Sequence, residues 1–299
     1  MSQQQEVEKG AEAICKSIHN ALQTDQGALI GRNGSIELNV LLDTTLSQED
    51  SRLQILETNA GIFHSRPDSF ASFLKWKQQT CMAILNSDVL ATGWYAPLAE
   101  AETRTFNSWN LRAQRVPLRS LEPYYVEQSR NNQWIQYLKG QKVAVITSFT
   151  DSAEHQVKQD LTEIWENRLT WPSGIEWAWI QTGHPPSVAK GSNEWPSGVD
   201  SWLDAVDLMV EKVIWSGARF ALIGCGGLGM IIASKLKDRG IIAIVLGGAI
   251  QVLFGIKGRR WESHSVIGKF WNDKWIWPSL KETPGNAQTI EGGCYWAKQ

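Results

Sequence analysis

The sequence predicts an α/β protein built on an open, mainly parallel sheet with helices on both faces. Two observations carry that expectation. From residue 142 onward, short β-branched and apolar runs alternate with segments of helical periodicity in a βαβαβαβ pattern; such alternation requires crossover connections and therefore parallel strands. Within it, residues 220–261 hold two strands that each deliver a glycine turn into a helix. In a parallel sheet both turns fall at the carboxyl ends of the strands, so two helix starts point into one crevice. Unpaired N–H groups and the helix dipole favour negative charge there.

Taken in order, residues 5–23 place Ala11, Ile14, Ile18 and Leu22 at helical spacing and predict an amphipathic packing helix. Residues 28–30 predict a short strand, followed by the turn Gly31-Arg32-Asn33-Gly34-Ser35-Ile36-Glu37 and a helix through residue 42. This repeats the strand, glycine turn, helix order. Residues 48–63 and 67–86 read as two further helices, the first stopped by Gly61, and residues 89–94 as a strand. Between residues 96 and 132, Pro97, Pro117 and Pro123 interrupt the pattern and predict loop and short helix. The regular alternation then gives a strand at 142–148, a helix at 152–165, a strand at 175–180 and a helix at 199–215. The proline-containing loop 182–198 is placed to form a mobile cover over the crevice. A strand at 220–223, the turn Gly224 to Gly229, a helix to 238, a strand at 241–246 and Gly247-Gly248 complete the pattern. With no repeat of fixed period and no low-complexity linker, residues 1–299 are expected to form one domain. It would comprise a helix-rich half at 1–139, a βα half at 140–262 and an aromatic tail at 263–299.

Composition narrows the class. The 42% hydrophobic content supports a sizeable core, and a net charge of −2 with pI near 6.2 gives no general attraction to nucleic acid or an anionic membrane. The longest uncharged runs, 220–234 and 241–256, fall short of the roughly 18 residues of a membrane span. Cys15, Cys81, Cys225 and Cys294 are scattered, without a CxxC pair or a secretory signal, which points to reduced thiols and a cytoplasmic setting. Sixteen tryptophans are the compositional oddity. Most are expected to fill the core with their N–H groups partnered; the surplus mildly favours a carbohydrate ligand, whose C–H faces stack on aromatic rings.

Gly224-x-Gly226-x-x-Gly229 has the form of a dinucleotide fingerprint, but the next strand ends Leu246-Gly247-Gly248 with no carboxylate to hold a ribose, which argues against nicotinamide. Three bases follow within four residues, Lys257, Arg259 and Arg260, either as a solvated loop or as anion contacts. Glu37 stands where a carboxylate complements a helix dipole, with Asn33 or Ser35 as the cap, and Arg32 is set beside the same sheet edge. Asp151 with His155 one turn on is either an acid/base pair or a helix cap. Glu291 precedes a Gly292-Gly293 turn, with Tyr295 and Trp296 as a nearby stacking surface, unless it belongs to an ordinary loop. His184 has no partners at zinc spacing.

The turn Gly31-Arg32-Asn33-Gly34-Ser35-Ile36-Glu37 resembles the arginine, aromatic, glycine, Asp-x-Glu turn of glycosyltransferases with the GT-D fold. Over nearly its whole length the chain is similar to GT-D-like proteins linked to polysaccharide synthesis. Asn59-Ala60-Gly61-Ile62-Phe63, Glu122-Pro123-Tyr124-Tyr125, the run from Gly247 to Trp261 and Glu291-Gly292-Gly293-Cys294-Tyr295-Trp296 carry that similarity. It implies a Rossmann-like sheet that binds a nucleotide sugar, a UDP-sugar foremost, and transfers the sugar to a glycan or other hydroxyl acceptor. The donor-binding set it implies is Arg32, Gly34, Ser35, Gly224, Gly226, Gly248, Gln251, Lys257, Arg259 and Arg260, with Glu37, Asp151 and Glu291 as candidate catalytic carboxylates. In GT-D enzymes the Asp and Glu of the turn engage a divalent metal; here Ser35 takes the first position, so Glu37 alone would give a weak Mn or Mg site. The basic residues and glycine-turn helix starts offer a substitute for neutralising a leaving diphosphate. Two other classes stay open, a Rossmann oxidoreductase or methyltransferase and a non-catalytic nucleotide- or sugar-binding protein, as does assembly into a homo-oligomer.

Overall fold

Seven parallel strands make one sheet in a computed structural model that describes residues 2–45, 47, 50–64, 69–127 and 133–298. Helix α1 (Gln3–Gln23) leads into β1 (Ala28–Gly31), α2 (Ser35–Leu41), α3 (Arg52–Ala60), α4 (Ser69–Leu85) and β2 (Val89–Ala91). Next come α5 (Ala96–Ser108), β3 (Gln114–Val116), α6 (Leu118–Leu121), β4 (Lys142–Thr147), α7 (Thr150–Lys158), α8 (Leu161–Ile164) and β5 (Glu176–Gln181). The chain closes through α9 (Pro186–Ala189), α10 (Trp202–Ser216), β6 (Phe220–Gly224), α11 (Gly229–Lys237), β7 (Ile242–Val245), α12 (Ala249–Leu253), α13 (Arg259–Glu262) and an irregular tail with short 3-10 turns.

The strand order is β3-β2-β1-β7-β6-β4-β5. Its central strands are buried on both faces, as near-continuous apolar runs predict. Alternate residues divide two cores. Ile30, Val145, Leu222 and Ile244 face α1 and a layer of aromatic residues that includes Trp134, Trp165, Trp275 and Trp296. Leu29, Ile146, Ile223 and Val245 face α3, α4, α10 and α11.

The interval 96–127 is where the sequence misleads, while residues 128–132 of the same expected loop lie outside the described residues. Pro97 lies in the first turn of α5, where its missing N–H costs nothing, so it starts a helix instead of breaking one. Strand β3 is three residues long and pairs only with β2 at the sheet edge, too short for a periodic signal. The expected helix at 152–165 is two helices, because Asp160 takes a left-handed φ of 68° and its carboxylate caps α8 through Thr162 N–H. Residues 48 and 49 and residues 67 and 68, where two expected helices begin, lie outside the described residues.

Strand β4 passes into α7 on the aromatic face and the chain moves outward to β5, whereas β6 passes into α11 on the opposite face and the chain moves inward to β7. The carboxyl ends of these neighbouring strands therefore diverge, and open parallel sheets form a ligand crevice at such a point. Among the described residues no helix is long and apolar enough to cross a membrane.

Trp76 is fully buried, and its indole N–H donates to the carbonyl of Gly227 at 2.9 Å, fixing the turn after β6 to α4. Trp76→Ala is expected to destabilise the protein by about 3–5 kcal/mol in urea unfolding monitored by circular dichroism.

Candidate functional site

A cavity of about 690 Å³ opens along the carboxyl edge of the sheet, and its walls come from most of the chain. Arg32, Gly34, Ser35 and Glu37 enter from the turn after β1; Arg119, Glu122 and Tyr124 from the segment after β3; Ser148 and Phe149 from the end of β4. Thr182, His184 and Trp195 follow β5, Gly224 and Gly226 follow β6, Gly248 follows β7, and Arg260, Trp261, Glu291, Tyr295 and Trp296 complete it.

Two glycines show how backbone shape serves this site. Gly34 occupies the N-cap of α2 without a capping side chain, and a Cβ there would collide with the carboxylate of Glu37, which folds back over the helix start. Gly226 takes φ +56°, and a Cβ would lie 2.8 Å from the carbonyl oxygen of Ala60 at the end of α3. The fingerprint-like turn is thus explained first by close packing of α3 on it, whatever ligand it also meets.

Arg32 and Arg260 supply charge beside the Gly247-Gly248 turn. Arg32 donates through Nη2 to the Asn33 carbonyl at 3.1 Å, while its Nε is buried with no hydrogen-bond partner. The Arg260 guanidinium lies over the rings of Trp261 and Tyr295, at 5.4 and 4.9 Å from their centroids. Its Nη1 donates to the Tyr295 hydroxyl at 2.5 Å, and that hydroxyl donates to Glu291 Oε1 at 3.0 Å. Glu291 Oε2 is also 3.7 Å from Arg260 Nη1. Burial opposes the charge of Arg260, but Tyr295 and Glu291 outweigh it and its pKa rises.

Burial pushes the carboxyl of Glu37 upward, opposed by its own backbone N–H and by Arg32 and reinforced by Glu291. Burial likewise raises Glu122 to about 7, against the pull of Arg32, Tyr124, Arg119 and Arg260. Glu122 is half-buried and lines the cavity. His184 is lowered to about 4 by burial, so it is neutral at pH 7, and its Nε2 has no partner. Burial raises the Cys225 thiol to about 12. Arg32 Nε, Tyr124 Oη and His184 Nε2 are all buried polar atoms left unpaired in the cavity wall. Such atoms are costly unless something else meets them.

Of the residues singled out from sequence, Arg32, Gly34, Ser35, Glu37, Gly224, Gly226, Gly248, Arg260 and Glu291 converge on this cavity, and Asp151, Gln251, Lys257 and Arg259 do not line it. Asp151 is exposed in the first turn of α7, whose buried side is Thr150, Ser152 and Ala153. Gln251 is buried as a brace, donating from Nε2 to the carbonyls of Lys257 and Tyr295 at 2.8 Å each. The Lys257 ammonium lies 5.8 Å from the centroid of Trp271. Arg259 donates to the Gly292 carbonyl; it and Arg260 are consecutive on α13, and a helix turns consecutive side chains about 100° apart. The basic run therefore gives the cavity one guanidinium. Among the described residues no group of three or more His, Cys, Asp or Glu could hold a metal ion, and Ser35 with Glu37 makes a poor donor set for Mn or Mg.

Arg119, Glu122, Tyr124 and His264 also line the cavity without having been assigned chemistry from sequence. The only sequence signal among them is the run from Glu122 to Tyr125, which carried a resemblance but no role. The loop 182–198 flanks the cavity, and the backbone N–H groups of Gly285 and Asn286 donate to its Ala189 and Val188 carbonyls at 2.8 and 3.0 Å. No family model, no curated protein and no solved structure matches the chain.

The tail that delivers Glu291, Tyr295 and Trp296 is anchored by Glu282, which is fully buried. Its Oε1 accepts from Ser152 N–H at 3.0 Å, its Oε2 from the Ser152 hydroxyl and from Ser279 N–H at 2.9 Å, and its carbonyl from Trp296 Nε1 at 2.9 Å. Glu282→Ala strands the Ser152 and Ser279 donors, so a loss of about 3 kcal/mol is expected in chemical denaturation. Faster amide exchange across 287–298 should accompany it.

Proposed function

We propose that the protein is a glycosyltransferase that moves a sugar from a nucleoside-diphosphate sugar, a UDP-sugar foremost, to a hydroxyl of a glycan acceptor. The observation that carries this reading is the meeting of Arg32 and Arg260 in one cavity with three carboxylates and several aromatic rings at the carboxyl edge of a parallel sheet. Planar guanidiniums flanking the Gly247-Gly248 turn suit the oxygens of a diphosphate. Rings such as Trp195, stacked on Phe63 at 6.1 Å, and Tyr295 offer faces for a base or a sugar. Carboxylates accept hydrogen bonds from sugar hydroxyls, which a plain phosphate site would not need.

The chemistry asked of the chain is modest. Fixed cationic donors stabilise negative charge as it develops on the departing diphosphate, and the partly closed cavity strengthens that effect by excluding water. Arg260 is held by its contacts with Tyr295 and Glu291, so little reorganisation is needed when the leaving group forms.

Thermal shift with UDP-, GDP-, dTDP- and CMP-sugars, beside NAD(P) and S-adenosylmethionine, tests the ligand class. A rise in melting temperature with a UDP-sugar and none with the other two cofactors is expected; the reverse pattern would replace this reading by an oxidoreductase or methyltransferase. Ligand-induced stabilisation without donor hydrolysis or transfer would mark a binding protein instead. Arg260→Ala should weaken UDP binding by about 10-fold or more in calorimetry, the loss of a charge-assisted hydrogen bond.

A further inference from the structure

We infer that Glu122 is the carboxylate that takes the proton from the acceptor hydroxyl. The inference rests on the glycosyl-transfer reading and deepens it by naming the general base. Glu37, Glu122 and Glu291 all line the cavity, and their surroundings separate them.

Glu37 is folded over the start of α2, against its own backbone N–H and the Cα of Gly34, with Arg32 as its charged neighbour. Moving that carboxylate onto a substrate would uncap the helix. Glu291 accepts the Tyr295 hydroxyl on one oxygen and lies near Arg260 with the other, an arrangement that orients the arginine. Both are positioning residues in this scheme. Glu122 differs from Glu291 in forming no ion pair among the described residues, and from Glu37 in not folding back over a helix start. Beside it stands the Tyr124 hydroxyl, buried and making no hydrogen bond.

Local sequence fixes that placement. Glu122 precedes Pro123, which holds it in an extended conformation with φ −100° and ψ 99°, and its backbone N–H donates to Arg119 at 3.3 Å. The packing of Trp134, whose Nε1 donates to the Leu121 carbonyl at 2.8 Å, ties the preceding residue into the core. A carboxylate on a fixed backbone, in a wall lined also by Arg32 and Arg260, suits a base that must meet one hydroxyl in one geometry.

The step balances without a further reactant. The acceptor O–H proton passes to a carboxylate oxygen of Glu122 while the hydroxyl oxygen forms its bond to the anomeric carbon. The bond from that carbon to the diphosphate oxygen breaks, and its electron pair leaves with the nucleoside diphosphate, whose charge Arg32 and Arg260 meet. Direct displacement inverts the anomeric configuration. Afterwards the proton is released to water.

Burial supports the choice, since it lifts the Glu122 carboxyl to about 7, nearer the working pH of a base than an ordinary glutamate. Positive charge faces it from Arg32, Arg119 and Arg260 and hydroxyls from Tyr124 and Tyr125. A base works deprotonated, so turnover should rise with pH through the region near 7.

The experiment uses the full chain and the panel of UDP-, GDP-, dTDP- and CMP-sugars with water as acceptor, following nucleotide release and the anomeric form of the freed sugar by NMR. Glu122→Gln is expected to bind UDP within about threefold of wild type while kcat falls at least about 100-fold. Glu122→Asp, which keeps the carboxylate, should fall between, and Glu37→Gln should retain the acid limb of the pH profile. Near-wild-type turnover by Glu122→Gln, an unchanged acid limb in that variant, or retention of configuration would overturn the assignment while leaving glycosyl transfer intact. Should Glu122→Gln fail to fold, wild-type-like kcat in Glu122→Asp with its acid limb unmoved would overturn it equally. If wild type hydrolyses no sugar of the panel, the transfer reading falls and this inference with it.

Discussion

The pairing of the first strand with the last holds the rest of the architecture in place. Ala28, Leu29 and Ile30 of β1 register with Ile242, Ala243 and Ile244 of β7, joining the two ends of the topology at the centre of the sheet. Bringing such distant segments together costs chain entropy, though the cost grows only slowly with loop length. Burial of apolar side chains on both faces, at about 25 cal/mol per Å² removed from water, offsets it. Because the pairing is parallel, Arg32 after β1 and Gly247 after β7 reach the same edge, where a Cβ at Gly247 would sit 2.7 Å from Arg32 Nη1. Without that register the cavity would lose one of its cationic walls.

The two faces are built differently. One is largely aliphatic and served by regular helices, while the other carries irregular segments held by indoles. Trp134 donates to Leu121, Trp165 to Leu253 and Trp296 to Glu282, each reaching a backbone carbonyl outside a strand ladder. Tryptophan suits this task because one side chain both fills volume and satisfies a carbonyl that has no secondary-structure partner. Seven of the sixteen are buried, seven are half-buried, and only Trp94 and Trp215 are exposed.

Legibility in the sequence followed from how local each signal was. β6, its glycine turn and α11 could be read because an apolar run, glycines and helical spacing all lie within twenty residues. β3 could not, since three edge residues show no period, and α5 was hidden by a proline whose meaning depends on whether it falls in the first turn or the middle of a helix. Arg32 and Arg260 were legible as charges next to glycine turns. Charge alone could not separate Arg260 from Arg259 and Lys257, because which side of α13 faces inward depends on the tail packed against it. Glu122 was the least legible: it lies in a proline-punctuated segment, and its environment is made by residues distant in sequence.

The tail's position has a consequence for how the protein comes into being. Trp296 closes onto Glu282 and Phe149, Tyr295 braces Arg260, and Gln251 is satisfied in part by the Tyr295 carbonyl. On the ribosome, β1 through β6 can emerge and begin to pair while the cavity still lacks a wall. The two groups of strands, β1 to β3 and β4 to β6, are joined only once β7 follows, and the cavity gains its last wall only with Tyr295 and Trp296, so a nascent or interrupted chain can carry the sheet without the complete cavity.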